Sequence, residues 1–109
     1  MLEYKGKKYV CDLDLGFDII RGKWKPVIIC HLTKGPIRFL ELQRITCGIS
    51  HKVLSENLSE LEEEGLLEKI IYPEVPPRVE YNLTKKGEEL SVALNLIEKW
   101  SIKYYGANK

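Results

Sequence analysis

The stretch YPEVPPRVEYNLTKKG, Tyr72 to Gly87, constrains this chain more than any other. In RVEYNL, Val79, Tyr81 and Leu83 alternate with Glu80 and Asn82, a period of two that marks a half-buried strand. The preceding LLEKIIY reads as a second strand, and PEVPP separates the two. Proline has no N–H for a ladder, so Pro73, Pro76 and Pro77 belong in a loop or at a strand end. Their locked φ also stiffens that loop. The prediction is a β-hairpin over residues 66–83 with a rigid, protruding tip that bears Arg78.

Upstream, the period is helical. ISHKVLSENLSELEEEG carries Val53, Leu54, Leu58 and Leu61 on one stripe, and Gly65 closes it. IRFLELQRI places Phe39, Leu42 and Ile45 on one face, and TCG (Thr46 to Gly48) breaks the pattern between them. Two short helices joined by a tight glycine-containing turn predict a helix-turn-helix over 36–65. A helix-turn-helix followed by a stiff hairpin is the winged-helix arrangement. At the other end, CDLDLGFDIIRGKW spaces Leu13, Phe17 and Ile20 as a helix, with Asp12 as its expected N-cap. PVIICHLTKG is expected to be a second helix, opened by Pro26, closed by Gly35 and Pro36, and buried because it is apolar nearly all round. Trp24 is expected to fill the core, with Lys23 and Lys25 in structural roles. Thr84 is expected to cap a last helix over 84–105, whose stripe of Leu90, Ala93, Leu94, Ile97, Trp100 and Tyr104 is widened by Val92 and Leu96. So wide a stripe suits either a longer core contact or a dimer helix. The dimer is preferred, because the wing and helix-turn-helix already fill a small domain.

The 109 residues suit one domain, 1–109, of mainly α structure with a small β-hairpin (α+β). With 17 basic and 16 acidic residues the net charge is only +1, so an anion-binding face has to come from segregated charge. The amino-terminal MLEYKGKKYV lacks an apolar run, and no stretch is long enough to span a bilayer, so a cytoplasmic location is expected. Three cysteines, Cys11, Cys30 and Cys47, contain no CxxC pair, and His31 beside Cys30 points to a different helix face. No disulfide framework, metal site or cofactor is expected.

Four stretches together resemble the HxlR-type winged helix-turn-helix transcriptional regulators. They are CDLDLGFDIIRGKW from Cys11, GPIRFLELQRI from Gly35, GISHKVLSENLSELEEEGLL from Gly48, and the proline-rich wing from Tyr72. The resemblance covers nearly everything from Cys11 to Trp100. It implies a homodimer, held by its N- and C-terminal helices, on a pseudo-palindromic operator in double-stranded DNA. It also implies, for some members, a response to oxidants or electrophiles through a cysteine before the first helix, where Cys11 lies. Asp12 stands where such relatives often have proline, and Asp12 and Asp14 oppose a thiolate electrostatically.

The face of the 49–64 helix away from its apolar stripe carries His51, Lys52, Ser55, Glu56 and Ser59, a set that fits a major groove. Ser50, His51 and Lys52 lie in the first turn, where phosphate is favoured. Ser55 and Ser59 offer donor or acceptor to base edges, and Glu56 would accept from a cytosine amino group. Glu60, Glu62, Glu63 and Glu64 are expected to face solvent outside the groove. Arg78 has two readings: entry into the minor groove or onto a phosphate, and a salt bridge to Glu74 or Glu80. Arg38 and Arg44 flank the turn as candidate backbone anchors. A bridge from Cys11 to Cys47 of the partner would reposition a recognition helix, whereas Cys30 reads as a buried small hydrophobe. Leu90, Leu94, Ile97, Trp100 and Tyr104 are the candidate dimer residues. No phosphate-cradling loop, HExxH or nucleophile–base spacing supports an enzyme. The remaining alternative is a winged helix used only for protein contacts.

Overall fold

The computed structural model describes residues 1–106. The elements run β1 (Leu2–Tyr4), β2 (Lys7–Tyr9), α1 (Asp12–Ile19), α2 (Trp24–His31), β3 (Ile37–Arg38), α3 (Phe39–Ile45), α4 (His51–Glu63), β4 (Leu67–Tyr72), β5 (Arg78–Leu83) and α5 (Lys85–Tyr105). A 3₁₀ turn, Leu32–Lys34, extends α2. The core is one cluster in which Ile28, Ile29 and Leu32 meet Leu42, Leu54, Leu58 and Leu61. Leu66, Leu67, Tyr81 and Leu83 add the base of the wing, and Leu94 adds α5.

The wing is built as its pattern predicts. β4 and β5 pair antiparallel from Leu67↔Leu83 to Tyr72↔Arg78, and PEVPP spans the turn between them. Thr84 caps α5 as expected, its Oγ1 accepting the Gly87 N–H at 3.2 Å and donating to the Gly65 carbonyl at 2.6 Å. Gly87 sits so close to the wing that an added Cβ would lie 2.2 Å from the Leu66 carbonyl oxygen. Only a glycine lets α5 start there.

Several local expectations are corrected. Cys11, not Asp12, is the N-cap of α1, and it makes no side-chain cap bond. The carboxylate that serves this end is Asp14, which accepts the Val10 N–H at 2.9 Å. Pro26 is the third residue of α2, because Trp24 and Lys25 already have helical geometry and first-turn N–H groups need no partner. Ile37 and Arg38 do not begin the α3 helix. They form a short strand that pairs with β5, Ile37↔Tyr81 and Arg38↔Glu80, making a three-stranded sheet of order β3-β5-β4. The amino-terminal residues form a hairpin, β1–β2, turned by Lys5 (φ 49°) and Gly6 (φ 78°). Strands of three residues are too short for a period of two to show.

α1 and α5 leave much apolar surface uncovered. α1 has no buried residue, and Leu13 and Phe17 are exposed. Of the expected dimer stripe, Leu94 is buried in the chain's own core and Leu90 packs against it. Those two therefore serve the intrachain side of the helix. Ile97, Trp100 and Tyr104 stay open, as do Val92, Leu96 and Ile102.

Candidate nucleic-acid interface

Leu54, Leu58 and Leu61 recur at helical spacing and are buried, so α4 docks on the core along one line and turns its opposite side outward. Its N-cap is Ser50, whose Oγ accepts the Val53 N–H at 3.1 Å and fixes where the helix begins. The His51 ring rests on Phe39 with centroids 4.5 Å apart, and Phe39 in turn meets Tyr81 of the wing at 6.4 Å. This aromatic cluster sets α4 against the sheet. Nothing in the sequence spacing signals it, because Phe39, His51 and Tyr81 lie on three separate elements. Lys52, Ser55, Glu56 and Ser59 lie outward and exposed along the following turns. Among the described residues, none of the four is tied up by a side-chain hydrogen bond or ion pair.

The other end of α4 is different. Glu60 pairs with Lys25 at 2.7 Å, and the Lys25 side chain is only 12% exposed. Glu64 accepts from the Tyr4 hydroxyl at 3.0 Å and from Lys5 at 3.2 Å, leaving its side chain 18% exposed. The Glu64 carbonyl accepts from Lys86 at 2.6 Å. The expectation that the whole acidic run faces solvent therefore fails at Glu64, which anchors the amino-terminal hairpin, whereas Glu60 stays exposed while pairing with α2. Glu62 and Glu63 are exposed. Lys23 lies over the half-buried Trp24 ring at 4.6 Å.

The three candidate arginines are in unlike states. Arg44 is held by Glu41 through two hydrogen bonds, Nε to Oε2 at 2.8 Å and Nη2 to Oε1. Arg44 in turn keeps the Glu41 carboxyl below the usual carboxylate range. Arg38 is exposed on β3, and among the described residues it has no carboxylate at ion-pair distance. Arg78 lies over the Tyr72 ring, its guanidinium carbon 3.8 Å from the centroid. Glu74 is 3.1 Å from its Nη2 and Glu80 is 3.8 Å from its Nε. Of the two readings of Arg78, the ion pair is the one present in the protein alone.

Cys11 and Cys47 are exposed free thiols, while Cys30 is half-buried between α2 and α5, where burial and then Glu98 push its thiol upward. Among the described residues no three His, Cys, Asp or Glu side chains gather as a metal site, and no helix is long and apolar enough to cross a membrane.

Residues 19–109 match a family model described as HxlR-like helix-turn-helix. An uncharacterized HTH-type transcriptional regulator of Halalkalibacterium halodurans is 47% identical over 107 residues, covering 94% of this chain and 95% of that protein. The uncharacterized HTH-type transcriptional regulator YtcD of Bacillus subtilis is 43% identical over 94 residues, with 86% and 75% covered. Among solved structures, the redox regulator HypR in its oxidized form superposes with a TM-score of 0.81 at 35% identity, covering 85% of this chain and 96% of that one.

Proposed function

The chain belongs to the HxlR-like helix-turn-helix family and is a DNA-binding transcriptional regulator, and from that premise we propose that it acts in the cytoplasm as a homodimer on a pseudo-palindromic operator. The observation that carries this reading is the division of α4. Its outward side bears Lys52, Ser55, Glu56 and Ser59, unpartnered among the described residues, whereas Glu60 and Glu64 towards its far end are tied to the body of the protein. Ser50, His51 and Lys52 would meet phosphate at the helix start, where the backbone dipole favours an anion. Ser55 and Ser59 would read base edges, and Glu56 would accept from a cytosine amino group. Arg38, Arg44 and Arg78 would hold the DNA backbone or the adjacent minor groove.

The open apolar surface of α1 and the outer half of α5, through Phe17, Ile97, Trp100 and Tyr104, supports the homodimer. In that dimer two α4 helices would enter successive major grooves roughly 34 Å apart.

The likeness to the redox regulator HypR supports a response to oxidants. Cys11 of one protomer and Cys47 of its partner would join as a disulfide. A peroxide takes up the two electrons and two protons released and is reduced to alcohol and water. Mass mapping of the oxidised protein should find the Cys11–Cys47 crosslink; only free or mixed thiols would remove this step.

The central test is fluorescence anisotropy of reduced protein on duplex from its own upstream region, beside a scrambled duplex, over a salt series. Lys52→Ala should weaken both and lower the slope of log affinity against log salt by about one. Ser55→Ala should chiefly lower the preference between the two duplexes. Binding without salt dependence would point instead to a winged helix used for protein contacts.

A further inference from the structure

We propose that Glu74 and Glu80 form a carboxylate latch that withholds Arg78 from DNA phosphate and so restrains sequence-independent binding by the wing. The inference rests on the DNA-contacting reading of Arg78 above. Tyr72 and Arg78 are the last paired rung of the wing, so their side chains share one face of the hairpin. Glu80 lies two residues along β5 on that same face, and Glu74 reaches back from the proline loop. The result is a guanidinium with a ring beneath it and a carboxylate on either side.

The latch holds the arginine by charge and by the ring beneath it. The Arg78 side chain is 30% exposed and that of Glu80 only 17%. Nη2 is within bonding distance of Glu74, yet the Arg78 Nε is buried with no hydrogen-bond acceptor among the described residues. Two carboxylates against one guanidinium also leave this site with a formal charge of −1. A phosphate reaching for Arg78 therefore meets two carboxylates already set against it, and it gains the arginine only as they release it. Arg38 is the contrast. It stands opposite Glu80 across the β3–β5 pair, exposed and without an ion pair among the described residues. The wing sheet thus carries one arginine that is always available and one that is conditional. Phosphate contacts carry no base information, so withholding one lowers affinity for every sequence alike and leaves a larger share of the binding to base contacts on α4.

The test is anisotropy on a random-sequence duplex, with Glu74→Gln, Glu80→Gln, Arg78→Ala and the double variants, each checked for folding by circular dichroism. Glutamine keeps the shape and removes the charge. Each glutamine variant should raise affinity for the random duplex about threefold, the scale of one partly exposed ion pair, and steepen the salt dependence. In the Arg78→Ala background the same substitutions should gain much less. If the gain is undiminished without Arg78, the carboxylates merely repel DNA and the latch is wrong. If Arg78→Ala weakens binding but the glutamine variants do not strengthen it, the latch fails while the wing contact stands. If Arg78→Ala changes nothing on either duplex, the DNA-contacting role of Arg78 fails and the latch falls with it.

Discussion

The amino-terminal hairpin and the wing each bring a tyrosine, a cation and a carboxylate together, but they draw the carboxylate from different places. In β1–β2 it comes from the helices. Tyr4 and Lys5 meet Glu64 at the end of α4, while Tyr9 and Lys7 meet Asp18 of α1 at 2.7 and 3.2 Å. This hairpin is fastened to two helices at once, with the Tyr9 ring buried. In the wing, Arg78 finds both carboxylates, Glu74 and Glu80, inside the hairpin itself. Nothing ties its tip back to the body, and Val75 there is fully exposed. Chemically similar clusters thus make a clamp in one case and a projecting arm in the other. The origin of the partner decides which.

The largest expected effect separates the two hairpins by stability. Removing a buried aromatic side chain costs about 3–5 kcal/mol in general, so Tyr9→Ala should lower the urea midpoint more than any single change in the wing loop. Val75→Ser should shift stability by no more than about 0.5 kcal/mol. Comparable midpoints for the two variants would break the distinction.

The pH dependence should come next. Its hydrogen bond to Asp18, and then burial, push the Tyr9 hydroxyl up to about 12. The stability this contributes is fully present below the unfolded tyrosine value, about 10. It is lost as pH rises from there through about 12, because the folded state keeps a proton that the unfolded state has released. Asp18 moves the opposite way, lowered by its hydrogen bonds from Tyr9 and then Lys7. Its contribution is present above the unfolded carboxylate value, about 3.9, and disappears as pH falls through the lower folded value. Tyr9→Phe should flatten the alkaline limb and Asp18→Asn the acid limb in unfolding followed against pH.

The smallest effect sharpens the contrast at single hydroxyls. Tyr4→Phe removes one hydrogen bond to Glu64 and should cost about 1 kcal/mol. Tyr72 offers Arg78 only its ring face, so Tyr72→Phe should leave both stability and DNA affinity close to unchanged. A clear loss in Tyr72→Phe by urea unfolding or anisotropy would show that the wing tyrosine is held by its hydroxyl.

The same contrast explains what was legible beforehand. The wing could be read because its evidence is local: a period of two, prolines that cannot join a ladder, and Thr84 capping the helix that follows. The outward side of α4 could be read for the same reason, since Leu54, Leu58 and Leu61 set the buried line and leave Lys52, Ser55, Glu56 and Ser59 opposite. The amino-terminal hairpin could not. Its strands have three residues each, and what holds it down lies on other elements, Asp18 on α1 and Glu64 about sixty positions away. β3 was hidden for a similar reason, because Ile37 and Arg38 are strand residues only by virtue of pairing with Tyr81 and Glu80.

By itself, then, the sequence determined the winged helix-turn-helix, the side of α4 that faces outward, and the apolar excess on α1 and α5. Each of these follows from periodicity, backbone restriction or capping, which act within a few residues. Tertiary structure alone decided which charges remain available. Arg38 has no ion pair among the described residues, and Glu60 and Glu64 are bound to other elements, whereas the pairing of Arg78 was already one of two readings of its local sequence. An ion pair depends on a separation of a few ångströms between side chains, and for groups far apart in the chain only the folded arrangement sets that distance.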